Sequence, residues 1–228
     1  MGVHGLTLAI FDLDNTLLAG DSDYLWGQFL IARGIVDGEE YERENQRFYD
    51  AYRAGTLDIF EFLQFSLEPL SRFDMTRLNE LHNEFMQQVI TPIMLPKGKE
   101  LIERHRSQGD QLLVITATNS FITSPIVKAL GIHELLATEP EVVNNRYTGN
   151  VTGQPCYRQG KVTRLNSWLE DSGHNLQDSW FYSDSHNDLP LLEIVDNPVA
   201  VDPDVALRDH ARQHHWQIIS LRDDKAGK

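Results

Sequence analysis

The segment Ile10-Phe11-Asp12-Leu13-Asp14-Asn15-Thr16 constrains the fold more than any other part of this 228-residue chain. It follows an apolar run over residues 6–10 that is too short to span a membrane and is interrupted by Asp12. Such a run reads as a buried strand whose C-terminal end presents two carboxylates and a hydroxyl. Alternation along an extended chain puts Asp12 and Asp14 on one side and Leu13 on the other. Ligands of open α/β sheets bind beyond the carboxyl ends of strands, so this strand end is a candidate site. Taken alone, the pattern also fits a strand entering an Asx turn.

After Thr16 the texture is helical, with no strand signal between about residues 21 and 89. Ser22 or Asp21 suits the cap of a first helix that runs through Ile31 and ends near Gly34. Tyr41, Phe48 and Tyr52, spaced seven and four apart, predict a second helix closed by Gly55. Thr56 is the expected cap of a third helix containing Phe60, Phe62, Leu63 and Phe65. Leu78, Leu81, Phe85 and Val89 make a fourth stripe. These aromatics read as the core of a small helical bundle, placed to form a lid over the first strand's carboxyl end.

From Pro96 onward strands and helices alternate. A helix over 98–108 stops at Gly109, a strand covers 111–116, a loop covers 117–123, and Pro125 suits the first turn of the next helix. Val, Thr and Tyr enrichment over 135–152, with Asn144-Asn145 as the turn, predicts a hairpin. A helix over 161–172 and strands over 179–183 and 198–201 follow. Asp202-Pro203 caps a helix over 204–212, and a last strand covers 216–221. This order predicts an α/β fold: a Rossmann-like, doubly wound, mainly parallel sheet. Its core is expected over 1–18 and 93–228, with a helical-bundle cap over 19–92.

A net charge of −14 without a basic block argues against nucleic-acid binding, which needs clustered Lys and Arg. The single cysteine, Cys156, excludes an intrachain disulfide, suits a reducing compartment and reads as a small buried thiol. No signal peptide or membrane span is visible. Met1-Gly2 begins like a myristoylation site, but Leu6 stands where Ser or Thr is required. The expected location is the cytoplasm.

Three strands are thus expected to end in Asp12/Asp14, Thr116 and Asp184/Asp188, with Lys161 beginning the helix before the last of them. Singly, Thr116 is a turn hydroxyl, Lys161 a solvated charge, and Asp184 and Asp188 a turn and a helix cap. Jointly they supply the parts that phosphoryl transfer requires. Asp-x-Asp-x-Thr, a Thr after the second strand, a later Lys and Ser183-Asp184-Ser185-His186-Asn187-Asp188 resemble, in order, the four motifs of the haloacid dehalogenase superfamily. The match extends from Phe11 to Leu191. The helical insertion, Ile115-Thr116-Ala117-Thr118-Asn119 and Gly160-Lys161-Val162 are similar to its phosphoserine-phosphatase-like branch.

The resemblance implies hydrolysis of a small phosphorylated metabolite through an aspartyl phosphate. Asp12 is the expected nucleophile. Asp14 is the expected acid that protonates the leaving oxygen and then the base that activates water. A carboxylate approaching a phosphate dianion meets about 4 kcal/mol of repulsion per charge pair at 4 Å and an effective dielectric of 20. A divalent cation and Lys161 would offset it. The Asp12 and Asp184 carboxylates with the Asp14 backbone carbonyl are an all-oxygen set, suited to Mg²⁺ rather than zinc. Asp188 would position a metal-bound water or Lys161. Thr116 would donate to a phosphoryl oxygen, as would the backbone N–H groups of Leu13, Asp14 and Ala117. A departing halide needs no proton, so the acid at position 14 favours phosphate esters over dehalogenation.

For the substrate, Asp21 occupies the position at which the family's acidic residue meets a substrate ammonium; it equally suits a helix N-cap. An amine-bearing ester such as phosphoserine or histidinol phosphate is the corresponding expectation. Asn119 and Arg158 lie near the second and third motifs and are candidate pocket residues, Asn119 also suiting a turn. Arg53 would meet a substrate carboxylate or stay solvated. A phosphoacceptor signalling domain also joins Asp, Mg²⁺, Thr and Lys, but at about half this length and without a lid. An Asp-x-Asp glycosyltransferase would want a nucleotide-binding region before Asp12. Transfer to an acceptor other than water would make the same site a phosphotransferase or mutase. Nothing in the sequence bears on oligomeric state.

Overall fold

β1 (Leu8–Phe11) occupies the middle of the sheet, and all four of its side chains are fully buried. The computed structural model describes residues 7–222; Met1-Gly2 and Leu6 lie outside the described residues. Alternation along β1 feeds two separate apolar clusters. Ala9 and Phe11 join one and Leu8 and Ile10 the other, so both faces of the sheet are covered.

The chain then enters its helical insertion: α1 (Ser22–Ala32), α2 (Gly38–Ala54), α3 (Ile59–Ser71) and α4 (Met75–Phe85). A π-helical turn (Met86–Ile90) and α5 (Thr91–Ile93) lead out of it. At the neck, Leu18 bridges Met94 in antiparallel fashion. The N–H of Ala19 donates to Ile93 O at 2.8 Å and that of Leu95 to Leu17 O at 3.1 Å. Trp26 of α1 sits at the centre, with the rings of Phe29, Phe85 and Phe121 at 5.5, 5.1 and 5.4 Å. Phe48 packs against Phe62 and Phe65, as the helical spacing predicts. Phe60, expected in that core, is instead 60% exposed, because it falls on the outer face of α3.

The remaining elements are α6 (Pro96–Gln108), β2 (Gln111–Asn119), α7 (Ser120–Ala129), β3 (Glu134–Val143), β4 (Arg146–Thr152), α8 (Gln159–Ser172) and β5 (Trp180–Ser183). A 3₁₀ turn (His186–Asp188), α9 (Leu189–Leu192), β6 (Asn197–Val201), α10 (Val205–Gln213) and β7 (Gln217–Ile219) complete the described chain. The strand order is β4-β3-β2-β1-β5-β6-β7, parallel throughout except for β4 against β3. The six parallel strands therefore follow the doubly wound 3-2-1-4-5-6 order. Its switch point, where a ligand crevice is expected, lies between β1 and β5.

Three local expectations are corrected. The third helix is capped by Asp58, which accepts from the N–H groups of Phe60 and Glu61, while the Thr56 hydroxyl turns back to Ala51 O. Residues 117–123 are not a loop: β2 runs on to Asn119 and α7 begins at once, with Pro125 inside it rather than in its first turn. The last helix is capped by Asp204, not Asp202; Asp202 turns with φ +44° and accepts from the N–H of Leu221. In each case a short acceptor closer to the first free N–H groups takes the cap. Asn144 and Asn145, both left-handed, make the predicted hairpin turn.

Candidate active site

The end of β1 is held in place by the chain itself. The N–H of Asp12 donates to Tyr182 O at 2.9 Å, and the left-handed Asn15 (φ +58°) turns the chain back, its N–H donating to Gly20 O at 2.9 Å. This turn presents Asp12, Asp14 and Thr16 beside the end of β5. Thr16 Oγ1 lies 3.1 Å from Asp12 Oδ2 and 3.3 Å from Asp184 Oδ1, and accepts from the N–H of Asp184 at 3.1 Å. A buried carboxylate, Asp12, and a half-buried one far along the sequence, Asp184, thus meet at one hydroxyl.

Lys161 enters from the first turn of α8 and is 1% exposed. Its Nζ donates to Asp12 Oδ1 at 2.8 Å and to Asp188 Oδ2 at 2.7 Å. Ser183 also donates to Asp188 Oδ2, at 2.7 Å. The turn that aims Lys161 inward needs Gly160, because a Cβ there would sit 2.1 Å from Pro155 O. Asp14 faces the other way. Its Oδ1 accepts from the N–H of Ser22 at 2.6 Å, and its Oδ2 accepts from Thr118 Oγ1 at 2.8 Å and Thr116 Oγ1 at 3.4 Å. Asp12, Asp14, Thr116, Lys161, Asp184 and Asp188 are therefore brought together at the crevice between β1 and β5.

Electrostatics sort these groups. Burial raises the Asp12 carboxyl to about 7 against the opposing pull of Lys161, with Asp188 pushing the same way as burial. Burial and the neighbouring Asp21 raise Asp14 to about 6, while the hydrogen bonds from Ser22 and Thr118 oppose. Asp184 is pushed well above the usual carboxylate range by burial and by the charges of Asp12 and Asp188. Burial alone would lower Lys161, but Asp12 and Asp188 overcome it and hold the ammonium above its ordinary range. Asp12 and Asp188, both buried, thus share one buried ammonium, with the half-buried Asp14 and Asp184 beside them. The Asp14 carbonyl accepts no backbone hydrogen bond among the described residues. An excess of hard oxygen donors with a spare carbonyl is a donor set that fits Mg²⁺.

A cavity opens from Asp12 and Asp14 into the insertion, bounded by Asp21, Asp23, Tyr24, Tyr49 and Tyr157 among others. Ala117 and Thr116 line it. Asp21 both lines the cavity and caps α1, its Oδ1 accepting from the N–H groups of Asp23 and Tyr24. Asn119 and Arg158 are corrections to the expected pocket, since neither lines the cavity. Asn119 caps α7 through Ile122 N, and Arg158 binds Asn187 Oδ1 and the carbonyl of Gly55. Arg53 is exposed outside the cavity. His186 is committed to Asp204 at 2.7 Å. Cys156 is buried, and burial pushes its thiol up to about 12, which fits a packing role. Thr118 and Asp23, which the sequence motifs do not single out, also line the cavity. Thr118 carried a signal, since it shares a strand face with Thr116.

Residues 9–193 match the family model of haloacid dehalogenase-like hydrolases. The chain belongs to that family. A histidinol-phosphatase of Neisseria meningitidis is 46% identical to this hydrolase over 219 residues, covering 94% of this chain and 99% of that one. A crystal structure of a protein of unknown function from Bordetella pertussis superposes with a TM-score of 0.90 at 42% identity, over 96% and 100% of the two chains. A phosphoserine phosphatase carrying a phospho-aspartyl intermediate analogue has a TM-score of 0.70 at 19% identity, over 96% and 95%, and so shares the fold. This haloacid dehalogenase-like hydrolase is a phosphatase. No helix among its described residues is long and apolar enough to cross a membrane.

Proposed function

We propose that the protein is a Mg²⁺-dependent phosphatase acting on histidinol phosphate through a phosphorylated Asp12, with residues 19–92 as a cap over a core of 1–18 and 93–228. The observation that carries this reading is the meeting of Asp12, Asp14, Thr116, Lys161 and Asp184 at one sheet edge, opening into a cavity with two further acids. The cytoplasm and the absence of nucleic-acid and membrane partners belong to the same reading.

Asp12 attacks phosphorus, forming an O–P bond as the ester O–P bond breaks. Asp14, with a carboxyl near 6, is partly protonated at neutral pH and gives its proton to the leaving alkoxide. It then takes a proton from the water that cleaves the aspartyl phosphate. Thr116 donates to a phosphoryl oxygen, and Lys161 keeps Asp12 ionised while offsetting phosphate charge. Asp188 positions Lys161. The carboxylates of Asp12 and Asp184 and the carbonyl of Asp14 would hold Mg²⁺, which when bound supplies charge neutralisation at the phosphate.

The cavity lining supports the choice of substrate. It contains Asp21 and Asp23 but no Lys, Arg or His. A substrate carboxylate would find no cationic partner in that lining, which disfavours phosphoserine. Histidinol phosphate carries an ammonium and an imidazole and no carboxylate, and aromatic walls suit a planar ring. The test is phosphate release from histidinol phosphate, phosphoserine and p-nitrophenyl phosphate, with Mg²⁺ and with EDTA. Histidinol phosphate is expected to show the highest kcat/KM, with all turnover lost in EDTA and restored by Mg²⁺. A preference for phosphoserine overturns the substrate. A long-lived phospho-aspartate without turnover favours a phosphoacceptor domain instead.

A further inference from the structure

Asp12 and Asp14 carry the proposed chemistry and Asp21 caps α1, which leaves Asp23 as the acid of the cavity without a role. It is 8% exposed and lines the same cavity as Asp12, Asp14 and Asp21. Its Oδ2 is buried without a hydrogen-bond partner among the described residues. Asp21, two residues earlier, has its Oδ1 engaged by the N–H groups of Asp23 and Tyr24. The cavity's lining contains no Lys, Arg or His that could neutralise Asp23. An ionised carboxylate held out of water without a partner is costly. A protein keeps such a group where a ligand supplies the missing donor.

We propose that Asp23 is the specificity-determining residue of a second subsite, accepting an imidazole N–H from a substrate whose ammonium meets Asp21. This inference rests on the reading of the protein as a phosphatase for histidinol phosphate and extends it to one side chain. The walls agree with it. Tyr24, Phe48 and Tyr49 line the cavity with Asp23, and their faces suit a flat heteroaromatic ring. Asn45, also in the lining, has its Nδ2 engaged by Tyr24 O, so it does not compete for the carboxylate. Burial, followed by the charges of Asp21 and Asp14, pushes the Asp23 carboxyl well above its usual range, a pressure that an incoming N–H donor or cation relieves. Two acids separated by a single residue at the start of α1 would then read two nitrogens of one small molecule.

The experiment uses the full chain and the variants Asp23→Asn, Asp23→Ala and Asp21→Asn. Calorimetric titration with L-histidinol reads the subsite without turnover. Asp23→Asn is expected to weaken histidinol binding about 10- to 100-fold, the usual worth of a hydrogen bond to a charged group. The same variant should lower the ratio of kcat/KM for histidinol phosphate to that for phosphoethanolamine, which has the amine but no ring, about tenfold or more and chiefly through KM. Asp21→Asn should depress both amine substrates and leave their ratio near its native value. Thermal unfolding supplies a readout that a purely structural acid would not give. Relief of the unpaired carboxylate should raise the Tm of Asp23→Asn by about 2–4 °C. An unchanged ratio, unchanged histidinol affinity, or native protein that does not bind histidinol overturns the subsite. Asp23→Ala serves as the check should the amide itself donate to the ring. If native protein binds histidinol through Asp23 yet releases no phosphate from histidinol phosphate, the subsite stands and the substrate reading beneath it fails.

Discussion

Replacing Lys161 with Met keeps the length and apolar stem of the side chain and deletes the ammonium between two buried carboxylates. At 2.8 Å to Asp12 and 2.7 Å to Asp188, each pair has a gross attraction of about 6 kcal/mol at an effective dielectric of 20. Desolvation of the three groups consumes much of that, so the net quantity is the cost of stranding the partners, about 3–5 kcal/mol for a broken buried pair. Asp12 also loses the main influence opposing burial, so its carboxyl, already near 7, moves higher and is protonated at neutral pH. The nucleophile disappears along with the charge that receives phosphate. Urea unfolding at pH 7.5 should show the 3–5 kcal/mol loss, and kcat should fall at least 10²-fold. In Lys161→Met combined with Asp188→Asn, one stranded charge is gone. Part of the stability should return while activity does not, because Asp12 remains unpaired. Native-like stability in Lys161→Met, or recovery of activity in the double variant, would refute the argument that Lys161 serves to keep Asp12 ionised.

Two further perturbations test how the insertion is seated. His82 of α4 meets Ile122 O at 2.9 Å, and burial lowers its pKa below the ordinary 6.5. The folded form therefore resists protonation; His82's contribution is complete above pH 6.5 and is lost as pH falls through 6.5 towards the depressed folded value, where the unfolded chain takes up the proton first. Urea unfolding should show the stability advantage of native protein over His82→Gln shrinking from pH 8 to pH 5; a constant difference would contradict this. Gly55 closes α2 at φ +69°, and a Cβ there would lie 2.7 Å from Arg158 Nη2 and 2.8 Å from His186 Nε2. Gly55→Ala should cost about 1–2 kcal/mol from the left-handed backbone, read by urea unfolding, with equal stability as the contrary result.

What the sequence disclosed and what it concealed follow from the range over which each feature acts. Asp12, Asp14 and Asp184 are legible because each follows a strand, and Thr116 because it lies near the carboxyl end of β2; a parallel sheet brings its carboxyl ends to one edge whatever the length of chain between them. Lys161, 149 residues from Asp12, was legible only through the resemblance, since the inward aim of its helix depends on Gly160 fitting against Pro155 O. Asn119 and Arg158 were misplaced because proximity to a motif in the chain is not proximity to the cavity. The cap on Ile122 N and the bond to Asn187 take both side chains elsewhere. Thr118 is harder to read, because the apolar run that marks β2 stops at Ile115 while the strand continues to Asn119, and alternation over those last residues delivers a second hydroxyl to Asp14.

Asp23 illustrates a deeper obstacle. Residues i and i+2 do not share a face of a helix, so helical periodicity gives no reason to pair it with Asp21. Asp21, however, is the extended N-cap rather than a helical residue, with φ −98° and ψ 114°. The change of backbone state between cap and first turn lets both carboxylates reach one cavity. That change belongs to the junction of two elements, and the junction is set by Asp14, whose Oδ1 holds the N–H of Ser22 at 2.6 Å. The proposed general acid thus fixes the start of the helix that carries both proposed substrate-reading acids. Any change that moves Asp14 should therefore disturb chemistry and specificity together.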